Sequence, residues 1–358
     1  MSKLPGNAGA PLLGDKSLEF YRDPVSFYRQ RVEKHRRRVF QCRLLNRPTA
    51  FICSVRGMRE LLCEKSNLFL KDPTDLMTNM YGDTIITTNG EEACLLRLSL
   101  TSLFTGSLIS APVSVKVPLW SSGFSTALDA RDKLMDIIKD KLENDTQGFV
   151  GSLGSLPLPD SNSASQHLLL FISALIPKAV ASVLTSFTLA LSGKEQEETR
   201  RRAREEPDYL HRVLLEVQRL WPPFIGGRRI ADQDSNLAGF HVPKGHGAIY
   251  ISHGVHRDPE VFEQPNDFVP ERWSGRNAGQ EHFLCSLGSG PRSCIGSKLT
   301  DVFLKEACVY LLQHYDWRLD PPSQDLEYKW LPVSRPTNPP TVSFSRLDQT
   351  RSDKSDTS

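Results

Sequence analysis

Leu168 to Leu191 is an almost unbroken apolar stretch, and a folded chain has to take that surface out of water. Two arrangements do so. The stretch is long enough to cross a bilayer, and a helix apolar on all sides is equally at home in the centre of a large soluble protein. Pro177 and Lys178 lie near its middle, and Ser173, Ser182, Thr185, Ser186 and Thr188 spread hydroxyls along it. Charge and hydroxyls at that depth favour the buried helix. Such a helix needs enough chain to surround it, and 358 residues suffice, as one large domain or two smaller ones.

The rest of the pattern is mostly helical. Asp23-Pro24 pairs an N-cap residue with a first-turn proline and predicts a helix to about Lys34. Val39–Leu45 and Thr49–Ser54, split by Asn46-Arg47-Pro48, read as strand, turn and strand. Val55–Lys65 reads as an amphipathic helix, Thr84–Thr88 as a short extended run, and Glu91–Phe104 and Ala127–Glu143 as helices. Residues 105–125 show no sustained period, and Asp145–Ala164 is a Gly/Ser/Pro loop. Gly193–Glu206 is a charged, solvated segment. Tyr209–Trp221 places Leu210, Val213, Leu214, Val217 and Leu220 on one helical face before Pro222-Pro223 ends it. Short strands fill Arg228–His253, loop fills 254–293, and Ile295–Leu312 is a helix. The polar tail from Arg346 is expected to be disordered. The fold class is therefore mainly α with a small β-rich subdomain.

Charge and cysteines exclude several functions. A net charge of +2 is too small to argue for nucleic acid. The clusters Arg36–Arg38, Arg200–Arg204 and Arg228–Arg229 lack the interleaved aromatics of single-strand binders and read as solvated surface. The seven cysteines, Cys42, Cys53, Cys63, Cys94, Cys285, Cys294 and Cys308, are odd in number and widely spaced. That spacing argues against a disulfide framework or a zinc site, and for a reducing compartment. Met1–Lys3 leads straight into a Pro/Gly segment, Leu4–Gly14, so neither a signal peptide nor an N-terminal anchor is expected.

The segment richest in chemistry is Leu287-Gly-Ser-Gly-Pro-Arg-Ser-Cys-Ile-Gly296, which runs directly into a helix. Gly288, Gly290 and Pro291 permit a tight, open loop. Cys294 stands at the mouth of the following helix, where amide N–H groups favour a thiolate. Gly296 lets a bulky planar group approach the backbone, and Arg292 offers a cation to an anionic group held nearby. Upstream lie Glu216-Val-Gln-Arg219, His256-Arg-Asp-Pro-Glu260 and Phe268-Val-Pro-Glu-Arg-Trp273. A Glu and an Arg three apart on a helix are by themselves an ordinary surface pair.

Taken together, these segments resemble the cytochrome P-450 family. The loop is similar to the family's haem-binding pattern F-x-x-G-x-R-x-C-x-G, with Leu287 in the aromatic position. Glu216 and Arg219 resemble its E-x-x-R helix, and Pro270–Trp273 its P-E-R-[FW] segment. Residues 89–97, the Pro/Gly opening and the strands at 39–54 also look like that family's opening. The resemblance implies haem b held by the thiolate of Cys294, with Arg97, Leu287, Gly288, Arg292 and Gly296 around the cofactor. It implies that Glu216, Arg219 and Arg272 form a buried charge triad that holds the loop. Arg97 matches the family's propionate-binding arginine, whereas Ala93 stands where members place Trp or His.

Two departures shape the functional expectation. The family's central helix carries an acid–alcohol pair, but Leu175-Ile-Pro-Lys-Ala-Val180 has neither, and no catalytic proton donor is assigned. Family members also place three more helices where this chain has residues 105–125, so a P-450 fold lacking some of those helices is expected. The domain would span 1–345, with 346–358 as the tail. The leading expectation is a monooxygenase that inserts one atom of O2 into a lipophilic substrate, with a weak hint of sterols or retinoids. Its electrons would come from an NADPH-dependent reductase or a ferredoxin. A P-450-type isomerase or dehydratase needing no reductase stays open, as does a non-catalytic or truncated haem binder. The expected location is the cytosol or the cytosolic face of the endoplasmic reticulum.

Overall fold

The computed structural model describes residues 2–71, 81–101, 124–160, 162–274 and 279–347. The chain divides into two compact units. The first comprises Met1–Leu70, Lys178–Cys294 and Asp301–Ser358, and the second Lys71–Pro177 with Ile295–Thr300.

The first unit is built on a five-stranded sheet. Strands β1 (Val39–Leu44) and β2 (Arg47–Ile52) form the expected hairpin, closed by Leu45 and Asn46 in the left-handed region at φ +50° and +53°. With β3 (Phe69–Lys71), β4 (Gly226–Ala231), β5 (Ser235–Leu237), β6 (Phe240–Val242) and β7 (Gly247–Ile251), the sheet order is β1-β2-β7-β4-β3. β2 and β7 pair in parallel, Thr49 opposite Gly247, while β4 returns antiparallel to β7. The closeness of that return requires glycine at Gly226, where a Cβ would lie 1.8 Å from the Tyr250 carbonyl oxygen. β5 and β6 form a separate hairpin.

Helices cover the sheet. Asp23 caps the helix Pro24–His35, its Oδ1 accepting from the amides of Val25 and Ser26 at 3.1 and 3.0 Å. The helix Pro207–Leu220 buries the predicted face, Leu210, Val213, Leu214, Val217 and Leu220. Val55–Lys65 departs from a single helix: Val55–Arg59 is α-helical, and Glu60–Glu64 widens into a π turn. Glu60 is drawn there by Lys65 Nζ and the Ala238 amide, which its carboxylate accepts at 2.9 and 3.0 Å.

The apolar stretch becomes two helices, Ser163–Leu170 and Ile176–Ala190, joined by a π turn at Phe171–Leu175 just before Pro177. The run Ser163–Ala190 is long and apolar enough to cross a membrane by composition alone. Its part in the first unit is tied into protein. Val183, Phe187 and Leu191 are buried, Ser182 Oγ donates to the Ser334 carbonyl at 2.7 Å, and Trp317 Nε1 donates to the Thr188 carbonyl at 2.8 Å.

In the second unit, Leu168–Phe171 packs with Ile85, Leu100, Ile138 and Leu153, and Ile295 and Leu299 lie against the same cluster. Thr84–Thr88 is a turn, not an extended run. The hydroxyls of Thr87 and Thr88 donate to the Thr84 carbonyl at 3.1 and 3.0 Å, so local side-chain bonds displace a strand. Within the predicted loop 145–164, Gly148–Gly154 is helical.

The charged segment 193–206 is also helical over Glu197–Glu205, and it is not wholly solvated. Arg200 is buried, with Nε 2.9 Å from Asp316, and Arg204 Nε donates to the Leu312 carbonyl at 2.6 Å. Arg38 likewise pairs with buried Asp258 at 3.2 Å. The question of missing helices at 105–125 falls almost wholly outside the described residues, as does the tail beyond Leu347, although Arg346 itself ends a strand, Val342–Arg346.

Candidate functional site

The loop from Cys285 to Cys294 is built from short backbone bonds. The Gly288 amide donates to the Cys285 carbonyl at 3.0 Å, Ser293 to Gly290 at 3.0 Å, and Cys294 to Leu287 at 2.9 Å. Gly288 and Gly290 sit at φ +79° and +68°, a region L-residues avoid. At Gly290 the constraint is also steric, since a Cβ would lie 2.1 Å from the Leu62 carbonyl oxygen. Proline follows in a single 3-10 turn, Gly290–Arg292.

The loop presents Cys294 exposed. Cys42, Cys53, Cys285 and Cys308 are buried, and burial pushes each thiol up to about 12. Those four stay protonated and cannot readily ligate a metal. Cys63 is half-buried with Sγ 3.4 Å from Ser289 Oγ, and Cys94 is exposed on the helix Gly90–Thr101. Only Cys294 combines exposure with the glycine loop.

Two guanidinium groups of the first unit feel each other's charge. Arg292 Nη1 is buried and has no hydrogen-bond partner. Arg229, on β4, has its pKa lowered chiefly by burial, and the charge of Arg292 lowers it further. Arg229 Nη1 donates to the Arg228 carbonyl at 2.8 Å, and among the described residues no carboxylate pairs with either group. Two such cations, one with a buried donor unsatisfied, call for an anion. Arg229 is a residue that sequence reasoning left on the solvated surface. Its only signal was the Gly226-Gly227 pair that brings β4 against Tyr250.

The charge cluster is complete. Glu216 and Arg219 are both fully buried, at 0% exposure. Arg219 holds Glu216 through Nε and Nη2 at 2.9 and 2.8 Å, and Arg272 Nε reaches Glu216 Oε1 at 3.0 Å. The remaining Arg219 protons go to the carbonyls of His256, Pro265 and Asp267. Glu216 also accepts from the Val269 amide at 2.9 Å and from Trp273 Nε1 at 3.0 Å. Every donor of Arg219 is used, which makes a buried ion pair tolerable. Trp273 belonged to a recognised motif, but its indole donor was not foreseen.

The other residues singled out in the sequence lie in the second unit. Arg97 is half-buried on the helix Gly90–Thr101, Ala93 is fully buried, and Gly296 precedes the helix Ser297–His314, its carbonyl accepting from the Thr300 amide at 2.9 Å.

Fold and site define a protein whose exposed cysteine is carried on a rigid, glycine-shaped loop braced by a buried charge cluster. The sequence profile described as Cytochrome P450 matches residues 182–344, and that part of the chain is similar to that family. The putative cytochrome P450 120 of Synechocystis is 33% identical over 200 residues, which is 50% of this chain and 44% of that relative. The chain thus spans less than half the length of the curated relatives it matches. Its fold is shared with retinoic acid-bound cyanobacterial CYP120A1, at TM-score 0.82 and 23% identity over 96% of this chain and 99% of the other. It is also shared with a single-residue variant of cytochrome P450 OleT in complex with arachidonic acid, at TM-score 0.80 and 16% identity over 97% and 99%.

The residues of the first unit fit the haem that such proteins bind. Cys294 would offer a soft ligand, and Arg292, with its unsatisfied nitrogen, and Arg229 would offer cations to the carboxylates.

Proposed function

We propose that the chain is a haem-thiolate monooxygenase whose substrate is a lipophilic carboxylic acid. The observation that carries the reading is the exposed Cys294 on a loop whose neighbouring Arg292 holds a buried, unsatisfied guanidinium nitrogen. When bound, the haem supplies reductive activation of O2. The chain's own residues hold and orient it. Cys294 is its thiolate ligand, and by the resemblance Leu287 and Gly288 of the same loop line it. Arg292 and Arg229 neutralise its carboxylates. The resemblance adds Arg97 to that role and gives Gly296 a close backbone approach. Glu216, Arg219 and Arg272 do no chemistry; they keep the loop in one geometry.

Retinoic and arachidonic acids, the ligands of the two structural relatives, are both long apolar chains ending in a carboxylate. They support that substrate class. Electrons would come from an NADPH-dependent reductase or a ferredoxin. Residues 1–345 would act as one catalytic domain with 346–358 as its tail. Seven cysteines without a disulfide suit the cytosol or the cytosolic face of the endoplasmic reticulum.

The test is turnover of arachidonic or retinoic acid under labelled O2 with NADPH and reductase. One labelled oxygen atom in the product, lost when reductase is omitted, supports the reading. No incorporation by protein loaded with haem would overturn it.

A further inference from the structure

We propose that His256 is a positioning residue for the Cys294 loop: its neutral imidazole clamps the Cys285 backbone, where the loop leaves the core, to the backbone of Arg219 in the buried charge cluster. The inference rests on the haem-thiolate reading of Cys294.

The bonding leaves one assignment for the ring. The Cys285 amide can only donate, and it points at His256 Nε2 at 2.8 Å. Nε2 is therefore the bare nitrogen, and Nδ1 carries the proton, which it gives to the Arg219 carbonyl at 3.1 Å. That carbonyl lies in the last turn of the helix Pro207–Leu220, where no later amide of the helix is available to it. The imidazole thus satisfies a helix-end carbonyl on one side and a buried loop amide on the other.

His256 is tied to the cluster a second time. Its own carbonyl accepts from Arg219 Nη1 at 2.9 Å. From Cys285 the path continues through the backbone: its carbonyl holds the Gly288 amide, and the Leu287 carbonyl within that turn holds the Cys294 amide. A continuous series of bonds therefore runs from Glu216 through Arg219, His256 and Cys285 to Cys294. His256 and Cys285 are 0% and 1% exposed, so water cannot replace either link. Burial, reinforced by the Arg219 charge, also brings the imidazole pKa down to about 3, which keeps the bare nitrogen available at working pH.

Two measurements on the full chain decide the matter. In the first, ring-nitrogen NMR of the wild-type protein is expected to show His256 neutral with its proton on Nδ1. A proton on Nε2 would overturn the clamp, whatever any variant does. The second compares His256→Phe, which removes both polar links, with His256→Gln, which keeps an acceptor for the Cys285 amide. In the haem-free proteins, the Phe variant is expected to exchange the Cys285 and Gly288 amide hydrogens about tenfold faster, the equivalent of one lost hydrogen bond. After haem is supplied, the thiolate-ligated share of its reduced carbonyl complex should fall, and the Gln variant should recover both readouts. Wild-type-like exchange and ligation in the Phe variant would overturn the proposal. A wild-type protein that binds haem without thiolate ligation would instead overturn the reading beneath it.

Discussion

Arg272 Nε lies 3.0 Å from Glu216 Oε1, joining a short 3-10 turn to a helix across 56 positions of sequence. Arg272 also donates to the carbonyls of Glu263 and Gln264 at 2.7 and 3.1 Å, so one guanidinium fixes a carboxylate and the loop ahead of its own turn. The pair belongs to a network in which the buried carboxylate has five donors.

Removing the carboxylate strands two guanidinium groups. Glu216→Ala is expected to cost about 3–5 kcal/mol of unfolding free energy in urea titration, the range for breaking a buried pair from one side. A loss below about 1 kcal/mol, typical of exposed pairs, would show that the cluster is not structural.

Gly290→Ala combines a left-handed φ with a Cβ 2.1 Å from the Leu62 carbonyl, and Gly239→Ala shares the positive φ with nothing within 4 Å. Both should destabilise, Gly290→Ala the more by over about 1 kcal/mol, because strain at φ and overpacking add. Equal unfolding midpoints would contradict the close approach of the loop to Leu62.

Arg292→Leu should leave the haem-free protein as stable as the wild type or slightly more so, since it removes an unsatisfied buried donor. Haem affinity should fall about tenfold or more, the worth of a lost charge-assisted bond. Titration of the haem-free variants with haem reads this directly; unchanged affinity would remove Arg292 from the site.

His256 gives a pH prediction. Its pKa falls from the ordinary 6.5 to about 3 on folding, so between those values the unfolded chain binds a proton that the folded protein refuses. This contribution to stability is fully present above pH 6.5 and is lost as pH falls toward 3. His253, held well below its ordinary value by burial, acts in the same direction. The urea midpoint of the wild type should drop between about pH 7 and about pH 5, and drop less in His256→Gln. Equal slopes would show that His256 does not carry the linkage.

The sequence revealed what periodicity and residue chemistry determine locally. Leu210, Val213 and Val217 announced the helix that carries Glu216, and Asn46 announced the hairpin turn. The glycines around Cys294 announced a tight loop, although only the structure shows which backbone each one approaches. Thr84–Thr88 misled because β-branched residues suit strands, while their hydroxyls here bond to the Thr84 carbonyl. Arg200 and Arg229 misled because a run of arginines reads as surface, and their burial depends on Asp316 and on the pairing of β4 with β7. His256 stood in a recognised motif, but its role depends on the Cys285 amide, 29 positions away.

The most direct measurement is the absorption spectrum of the reduced, carbon monoxide-bound protein after haem is supplied, taken for the wild type and for Cys294→Ala. The account predicts the thiolate-type carbonyl band in the wild type and its loss in the variant, with both proteins folded by circular dichroism. A wild-type protein without that band, or a variant that keeps it, would contradict Cys294 as the ligand.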